Sequence, residues 1–230
     1  MSVKYSSYSG LGHRENNEDA YAVFDTANGF LAIAADGLGG HNNGEYASRQ
    51  AVETISTCLA DTPLSEDAVE DAIIKANEDI CLLQHSKPEA KTTIALLWTA
   101  GESAIVANVG DTRIYQFRDG RIVYQSTDHS VAQLSVIAGE ITAEDIRKSP
   151  DRNRLTRSLG QREAPWIDIV SLKIRPGDRF LLCSDGFWES VTEDQMLQGA
   201  AEDVDAWLSE MRFIAESRAH DNNTAIAVFY

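Results

Sequence analysis

Cysteine is scarce in this 230-residue chain, and the three that occur, Cys58, Cys81 and Cys183, are far apart and form no C-x-x-C pair. An odd and dispersed set argues against a disulfide framework or a zinc ribbon and indicates a reducing compartment. The five histidines also show no H-E-x-x-H or other zinc-binding spacing. The sequence therefore gives no indication of zinc chemistry.

Basic residues and long apolar runs are also in short supply. Lys and Arg number 20 against 36 Asp and Glu, so the formal net charge is −16. This balance disfavours nucleic acid and anionic membranes as partners, because both attract clustered positive charge. The longest apolar runs, such as 30–35 and 94–98, are far shorter than the ~20 residues that span a bilayer. The N-terminus has no apolar segment of the signal-peptide type, so we expect a cytoplasmic protein.

What the chain does contain is an ordinary globular composition, with 43% hydrophobic and 24% charged residues. We find no repeat and no linker, and we expect a single domain over residues 1–230. Strand-like patterns dominate both ends, and two consecutive helices are predicted at 44–59 and 65–84. Because this order lacks the regular alternation of a parallel sheet, it favours an α+β fold with antiparallel sheets. Residues 131–153 are less regular and are predicted to form a surface flap.

Acidic residues recur beside Gly or Asn at the ends of predicted strands. Gly allows the backbone to approach closely enough for its carbonyl to act as a ligand. A single Asp-Gly pair is more often just a turn, but several carboxylates meeting without Lys or Arg would repel one another unless a divalent cation joined them. Oxygen donors of this kind suit Mg²⁺ or Mn²⁺. The segments are Arg14–Asp19, Asp36–His41, Gly110–Arg113, Ser184–Glu189 and Asp221–Thr224.

Eight motifs in order carry a resemblance that spans nearly the whole chain. They are R-x-N-N-E-D at 14–19, D-G-x-G-G-x-x-x-G-E-x-A-S at 36–48, G-T-T at 91–93 with Lys in place of Gly, G-D-T-R at 110–113, D-H-S at 128–130, T-R-x-L-G at 156–160, S-D-G-x-x-E at 184–189 and D-N-x-T at 221–224. The chain resembles the metal-dependent Ser/Thr protein phosphatases of the PPM (PP2C) family, in the compact bacterial form. The resemblance implies an αββα sandwich, in which two antiparallel sheets are flanked by helices.

The resemblance also implies roles for individual residues around two Mn²⁺ or Mg²⁺ ions and a third, weaker one. Asp36 would bridge the two ions, and the carbonyl of Gly37 would serve the second. The remaining metal-site positions are Asp185 and Asp221 at the first ion, Glu18 and Asp19 through metal-bound waters, and Asp111 and Glu189 with Asp185 at the third ion. Many relatives carry Asp where this chain has Glu189.

The reaction implied is direct attack on a phosphoserine or phosphothreonine by a water that both ions activate. Arg14 is predicted to hold phosphate oxygens with its planar guanidinium; the alternative is a surface salt bridge with Glu15 or Glu18. Many eukaryotic relatives have a histidine where this chain has Leu38. We therefore assign no general acid, although a metal-bound water or His41 would be able to take that part.

Two alternatives remain open, a catalytically silent PPM-like module that binds phosphoproteins and an enzyme acting on small phosphoesters. A cysteine-dependent phosphatase is excluded because no Cys-x5-Arg occurs, and Ser184 lacks the surroundings of a serine-hydrolase elbow. We expect phosphorylated Ser/Thr proteins as partners, namely a bacterial Ser/Thr kinase or its substrates. We expect no nucleic-acid or membrane partner and a monomeric protein.

Overall fold

A computed structural model describes residues 3–39, 43–198 and 203–230. Its twelve strands pair only in antiparallel fashion. The strands are β1 (Lys4–Gly10), β2 (Ala20–Thr26), β3 (Gly29–Ala35), β4 (Gly37–Leu38), β5 (Lys91–Thr92), β6 (Ile94–Ala100), β7 (Ser103–Val109), β8 (Arg113–Arg118), β9 (Arg121–Gln125), β10 (Asp168–Lys173), β11 (Arg179–Cys183) and β12 (Asn223–Phe229).

Two five-stranded sheets form the centre of the protein. The first has the order β1-β12-β11-β8-β9, and the second has the order β10-β7-β6-β3-β2. Strands β4 and β5 form a separate small ladder beside them. The sheets pack face to face, because Phe30 and Ala32 of β3 lie in one buried cluster with Phe180 of β11 and Ile226 of β12.

Helices cover the outer faces of both sheets. Leu31 and Ile33 alternate with the inward-facing residues of β3 and pack against the first helices, as the two-residue period of a strand requires. The helices are α1 (Gly44–Leu59), α2 (Glu66–Leu83), α3 (Val131–Ile137), α4 (Asp185–Ser190), α5 (Glu193–Gln198) and α6 (Val204–Arg218), with a 3-10 helix at Ala143–Lys148. Helices α1 and α2 pack on the second sheet, whereas α4, α5 and α6 pack on the first. The prediction of an α+β, αββα sandwich is confirmed.

Two local signals in the sequence, a serine before α2 and the Asp-Gly pair at 119–120, agree with the structure. Ser65 caps α2 by accepting a hydrogen bond from the backbone N–H of Ala68 at 3.2 Å. Asp119 and Gly120 both have positive φ angles, of 51° and 70°, at the turn between β8 and β9. This is the conformation that a two-residue hairpin turn needs. None of the helices in the described ranges is long and apolar enough to cross a membrane.

Two local features depart from what the sequence pattern alone predicts. The apolar pattern of 92–99 predicts one continuous strand, but the strand is interrupted at Thr93, because the backbone N–H of Thr93 donates to the carbonyl of Asp36 at 2.9 Å instead of continuing a ladder. The Asp-Gly pair at 185–186 is typical of a turn, but Asp185 is the first residue of α4. Both departures occur where the chain passes the candidate site.

Candidate active site

One end of the sandwich forms a cleft of about 480 Å³. Asp36 directly follows β3, and Asp111 follows β7 after one glycine. Asp185 comes two residues after β11, and Asp221 comes two residues before β12. Because β3 and β7 belong to one sheet and β11 and β12 to the other, the four carboxylates meet between the sheets. Predicted site residues that line the cleft are Arg14, Glu18, Asp36, Gly37, Asp111, Asp185 and Asp221.

The backbone of Asp36 is fixed by two threonines. Its N–H donates to Oγ1 of Thr93 at 2.9 Å. Its carbonyl accepts from the N–H of Thr93 at 2.9 Å and from Oγ1 of Thr92 at 2.8 Å. Thr93 Oγ1 also lies 2.6 Å from Oγ1 of Thr112. These bonds use the main chain of Asp36 and leave its carboxylate available to the cleft.

Gly37 stands where no larger residue fits. A Cβ at this position would lie 2.4 Å from the carbonyl oxygens of both Glu18 and Gly44. The N–H of Gly37 donates to the Glu18 carbonyl at 3.1 Å. The close approach therefore ties the first motif to the start of α1 beneath the cleft.

Asp19 lies behind the cleft rather than in its lining. Its Oδ2 accepts a hydrogen bond from Oγ of Ser184 at 2.8 Å, and Ser184 Oγ in turn accepts from the N–H of Thr224 at 2.9 Å. Within the described residues, Oδ1 of Asp19 and Oδ1 of Asp185 are buried without any hydrogen-bond partner. A buried carboxylate oxygen without a partner is costly, so these atoms call for a cation or a solvent ligand.

Burial raises the pKa of Asp19, Asp36, Asp111 and Asp185, and the neighbouring carboxylates raise it further. The pKa of Asp36 lies well above its usual range because of burial and then the charge of Asp185. The same two causes, in the same order, raise the pKa of Asp111. Burial and then Asp221 raise the pKa of Asp185 to about 7, and burial raises that of Asp19 to about 6. The cluster therefore holds more negative charge than it can stabilise alone.

The donors of this cluster fit hard divalent cations. They are all oxygens, two are buried without partners, and the pKa values of Asp36, Asp111 and Asp185 are raised, which together suit Mg²⁺ or Mn²⁺. In the described part of the chain, however, no three acidic, histidine or cysteine side chains have closed into a formed metal shell. The guanidinium of Arg14 lies 2.5 Å from Oδ2 of Asp221. An ion bound through this oxygen would therefore have to displace Arg14.

That ion pair corrects the alternative considered for Arg14, since its carboxylate partner is Asp221 and neither Glu15 nor Glu18. The hydrogen bond to Asp221 is the first cause of a raised pKa for the Arg14 guanidinium. The side chain is 59% exposed, so solvent screening limits the strength of the pair. The ion pair between Arg14 and Asp221 therefore contributes little to stability.

Glu189 is set apart from the other predicted residues. Its Oε1 accepts from Nε of Arg152 at 2.5 Å, and Arg152 belongs to the predicted flap. Glu189 lines a second cavity beside the cleft, together with Arg14 and Asp221. Its carboxylate is therefore neutralised by a guanidinium from this chain.

His41, which the sequence analysis considered for proton transfer, lies outside the described residues.

Asn222 is a positioning residue that the sequence analysis missed. Its Oδ1 accepts from the N–H of Glu18 at 2.9 Å, and its Nδ2 donates to the carbonyls of Leu11 and Asn16 at 2.9 and 3.0 Å. One side chain thus joins the first motif to Asp221. The D-N-x-T motif was the available signal, since an amide side chain next to a ligand candidate can both donate and accept hydrogen bonds.

A buried ion pair supports Asp111 from behind. Arg113 donates to both carboxylate oxygens of Asp128, at 2.9 and 2.7 Å, and its guanidinium stacks 3.6 Å from the ring of Trp188. Trp188 Nε1 donates to the carbonyl of Asp111 at 2.9 Å. In the same D-H-S motif, Ser130 caps α3 by accepting from the backbone N–H of Gln133, whereas Asp128 forms the ion pair with Arg113.

The sandwich and the cleft between its sheets define the class: phosphoester hydrolases that work through hard divalent cations. The protein phosphatase 2C family model matches residues 8–224, so the chain belongs to that family.

Known relatives agree with this assignment. The serine/threonine phosphatase stp of Listeria monocytogenes is 33% identical over 193 residues, covering 80% of this chain and 77% of that protein. The crystal structure of the serine/threonine phosphatase PstP/Ppp of Mycobacterium tuberculosis matches with a TM-score of 0.89 at 28% identity, covering 100% of this chain and 99% of that one. The catalytic domain of PstP in complex with two manganese ions matches with a TM-score of 0.86 at 28% identity, covering 99% and 97%. The protein is a metal-dependent Ser/Thr protein phosphatase.

Proposed function

We propose that the cleft hydrolyses phosphoserine and phosphothreonine monoesters in proteins with the residues that the sequence analysis selected. The observation that carries this proposal is the meeting of Asp36, Asp111 and Asp185, from different strand ends, in one cleft with raised pKa values. In this proposal Asp36 bridges two ions, and Gly37 contributes its carbonyl. The other positions are Asp185 and Asp221 as direct ligands and Glu18 and Asp19 as residues that hold water.

Two bound Mn²⁺ or Mg²⁺ ions would activate water as the nucleophile and offset the negative charge of the phosphate. The chain's own part is to bind and orient. Arg14 leaves Asp221 and holds two phosphate oxygens, which its fork-shaped guanidinium does better than a lysine. Asn222 keeps Glu18 and Asp221 in a fixed relation through hydrogen bonds. Leu38 lines the cleft and has no proton to donate, so we assign no side chain as general acid.

A third, weaker ion is proposed at Asp111, Asp185 and Glu189. Its binding competes with Arg152, because the guanidinium of Arg152 already neutralises Glu189. The affinity of this third position should therefore be low. The same pair attaches the flap at 131–153 to the edge of the site, which supports a part for the flap in substrate choice.

We further propose that the chain acts as a monomeric, cytoplasmic, single-domain enzyme over residues 1–230 and opposes a Ser/Thr kinase. The substrates would be that kinase or the proteins it phosphorylates. Relatives named as serine/threonine phosphatases support protein substrates of this type.

Manganese-dependent release of phosphate from a phosphothreonine peptide tests the proposal. Wild-type protein should turn the peptide over with Mn²⁺ and stop when EDTA is added. Asp185→Asn should remove turnover, whereas Asp205→Asn, on an exposed turn of α6, should not. Absence of turnover by a folded, metal-loaded wild-type protein would favour the silent binding module instead. A higher kcat/KM on a small phosphoester than on the peptide would favour a metabolite phosphatase.

A further inference from the structure

A second cavity, of about 510 Å³, adjoins the catalytic cleft and brings three arginines together. Arg14, Arg152, Arg218 and His220 line it, together with the carboxylates of Glu189 and Asp221. We name it the arginine pocket. The whole chain has only 20 basic residues against 36 acidic ones, so a lining with three arginines and two carboxylates is more basic than the chain average.

The arginines of this pocket differ in whether a carboxylate already neutralises them. Arg14 pairs with Asp221 and Arg152 pairs with Glu189. Arg218, at the end of α6, is exposed and donates from Nη1 to the carbonyl of Ser190 at 3.2 Å. Among the ion pairs of residues 3–39, 43–198 and 203–230, none involves Arg218. Its charge is therefore available to a ligand.

The arginine pocket continues directly from the cleft. Arg14, Asn153 and Asp221 line both cavities, so the two spaces meet at these residues. An extended peptide that places its phosphorylated residue in the cleft can therefore place a neighbouring side chain in the pocket, since adjacent Cα atoms are only ~3.8 Å apart.

We propose that the arginine pocket is a subsite for an anionic group, a carboxylate or a second phosphate, on a residue near the phosphorylated residue of the substrate. Arg218 is its specificity-determining residue. This inference rests on the proposed function and adds a preference among phosphoproteins. A guanidinium matches both anions, because it presents several N–H donors in a plane.

Three matched phosphothreonine peptides test the subsite. The three peptides differ at one flanking position, which carries Gln, Glu or a non-hydrolysable phosphonate analogue of phosphoserine. The set is repeated with this position placed one or two residues before or after the phosphothreonine. With Mn²⁺, wild-type kcat/KM should be roughly fivefold higher for an anionic residue than for Gln at one or more positions, the scale of a partly exposed ion pair. The difference should lie in KM and should shrink at high salt.

Variants on one helix separate the charge of Arg218 from other effects. Arg218→Gln keeps a donor for the Ser190 carbonyl but should bring the anionic-to-neutral ratio of kcat/KM close to one, and Arg218→Lys should retain part of the preference. The matched control is Arg212→Gln, also on α6, where Arg212 pairs with Glu216 at 2.9 Å. This control should keep the wild-type ratio.

The possible outcomes are distinct. A higher kcat/KM for the phosphonate peptide alone supports a pocket that binds a second phosphate. A higher kcat/KM for the Glu peptide as well supports a subsite for anions in general. A ratio of one in the wild type at every position, or an unchanged ratio in Arg218→Gln, overturns the inference while the phosphatase function stands. Failure of wild type to hydrolyse any of the peptides would instead contradict the proposed function.

Discussion

Replacing Asp36 by Asn should have opposite effects on activity and on the stability of the metal-free protein. The amide is nearly the same size as the carboxylate and keeps the main-chain bonds to Thr92 and Thr93. It removes, however, the charge proposed to bridge the two ions. We therefore expect turnover to fall by roughly 10³-fold, the scale seen when a preorganised electrostatic contact at a reacting centre is removed.

The stability effect follows from the charges around Asp36. Besides burial, four carboxylates, Asp185, Asp19, Asp111 and Asp221, raise the pKa of Asp36, and the neutral amide removes this repulsion while the position stays buried. We therefore expect the metal-free protein to gain about 1–2 kcal/mol, the common size of a single favourable substitution. For a chain of this length that corresponds to a rise in Tm of about 2–8 °C at pH 8 in EDTA.

Two measurements on the same preparations check both effects. Thermal unfolding followed by circular dichroism in EDTA gives the Tm difference, and phosphate release with Mn²⁺ gives the activity. Asp25→Asn is the matched control, because Asp25 is an exposed residue of β2 away from the cleft, and it should change neither quantity. Near-wild-type turnover of Asp36→Asn would refute the bridging role. A lowered Tm in EDTA would refute the claim that the carboxylates repel one another.

Four further outcomes follow from contacts of the site. Arg14→Ala should raise KM by roughly tenfold or more, because a charge-assisted contact to phosphate is lost; steady-state kinetics with unchanged KM and kcat would contradict this. Asn222→Ala should weaken Mn²⁺ binding about tenfold in titration calorimetry, as the loss of an orienting hydrogen bond does, and equal affinity would speak against its positioning role. Arg152→Gln should strengthen binding of an additional Mn²⁺ by freeing Glu189, and an unchanged metal count at saturating Mn²⁺ would contradict the competition. The Mn²⁺-induced rise in Tm should grow between about pH 5.5 and 8, because carboxyl groups with raised pKa values hold protons in the metal-free fold that metal must displace; a rise that shrinks with pH would be inconsistent with those pKa values.

The layers of the fold were predictable because local patterns agree with long-range packing. Strand β3 reads as a continuous apolar run, and its two faces are indeed buried, one against helices and one against the other sheet. Ser65 marks the start of α2 by a hydrogen bond within three residues. The motifs predicted that Asp36, Asp111 and Asp185 belong to one metal site, and the structure places all three in one cleft.

The ion pairs of the site were not predictable, since their partners are distant in the chain. Arg14 and Asp221 are 207 positions apart, and Arg152 reaches Glu189 from a segment whose pattern indicates only a flap. The interruption at Thr93 depends in the same way on Asp36, which is 57 positions away. Periodicity reports the face on which a residue lies, whereas these contacts are decided by how the two sheets stack.

The carboxylates come from both sheets, Asp36 and Asp111 from one and Asp185 and Asp221 from the other. Ions held among them would cross-link the two layers at that end, while the hydrogen bond between Thr99 and Tyr230 joins sheet residues elsewhere in the sandwich. Loading with Mn²⁺ should consequently slow amide hydrogen exchange at the strand ends around the cleft more than near Thr99. The same ions would then act on catalysis and on the mechanical coupling of the two layers.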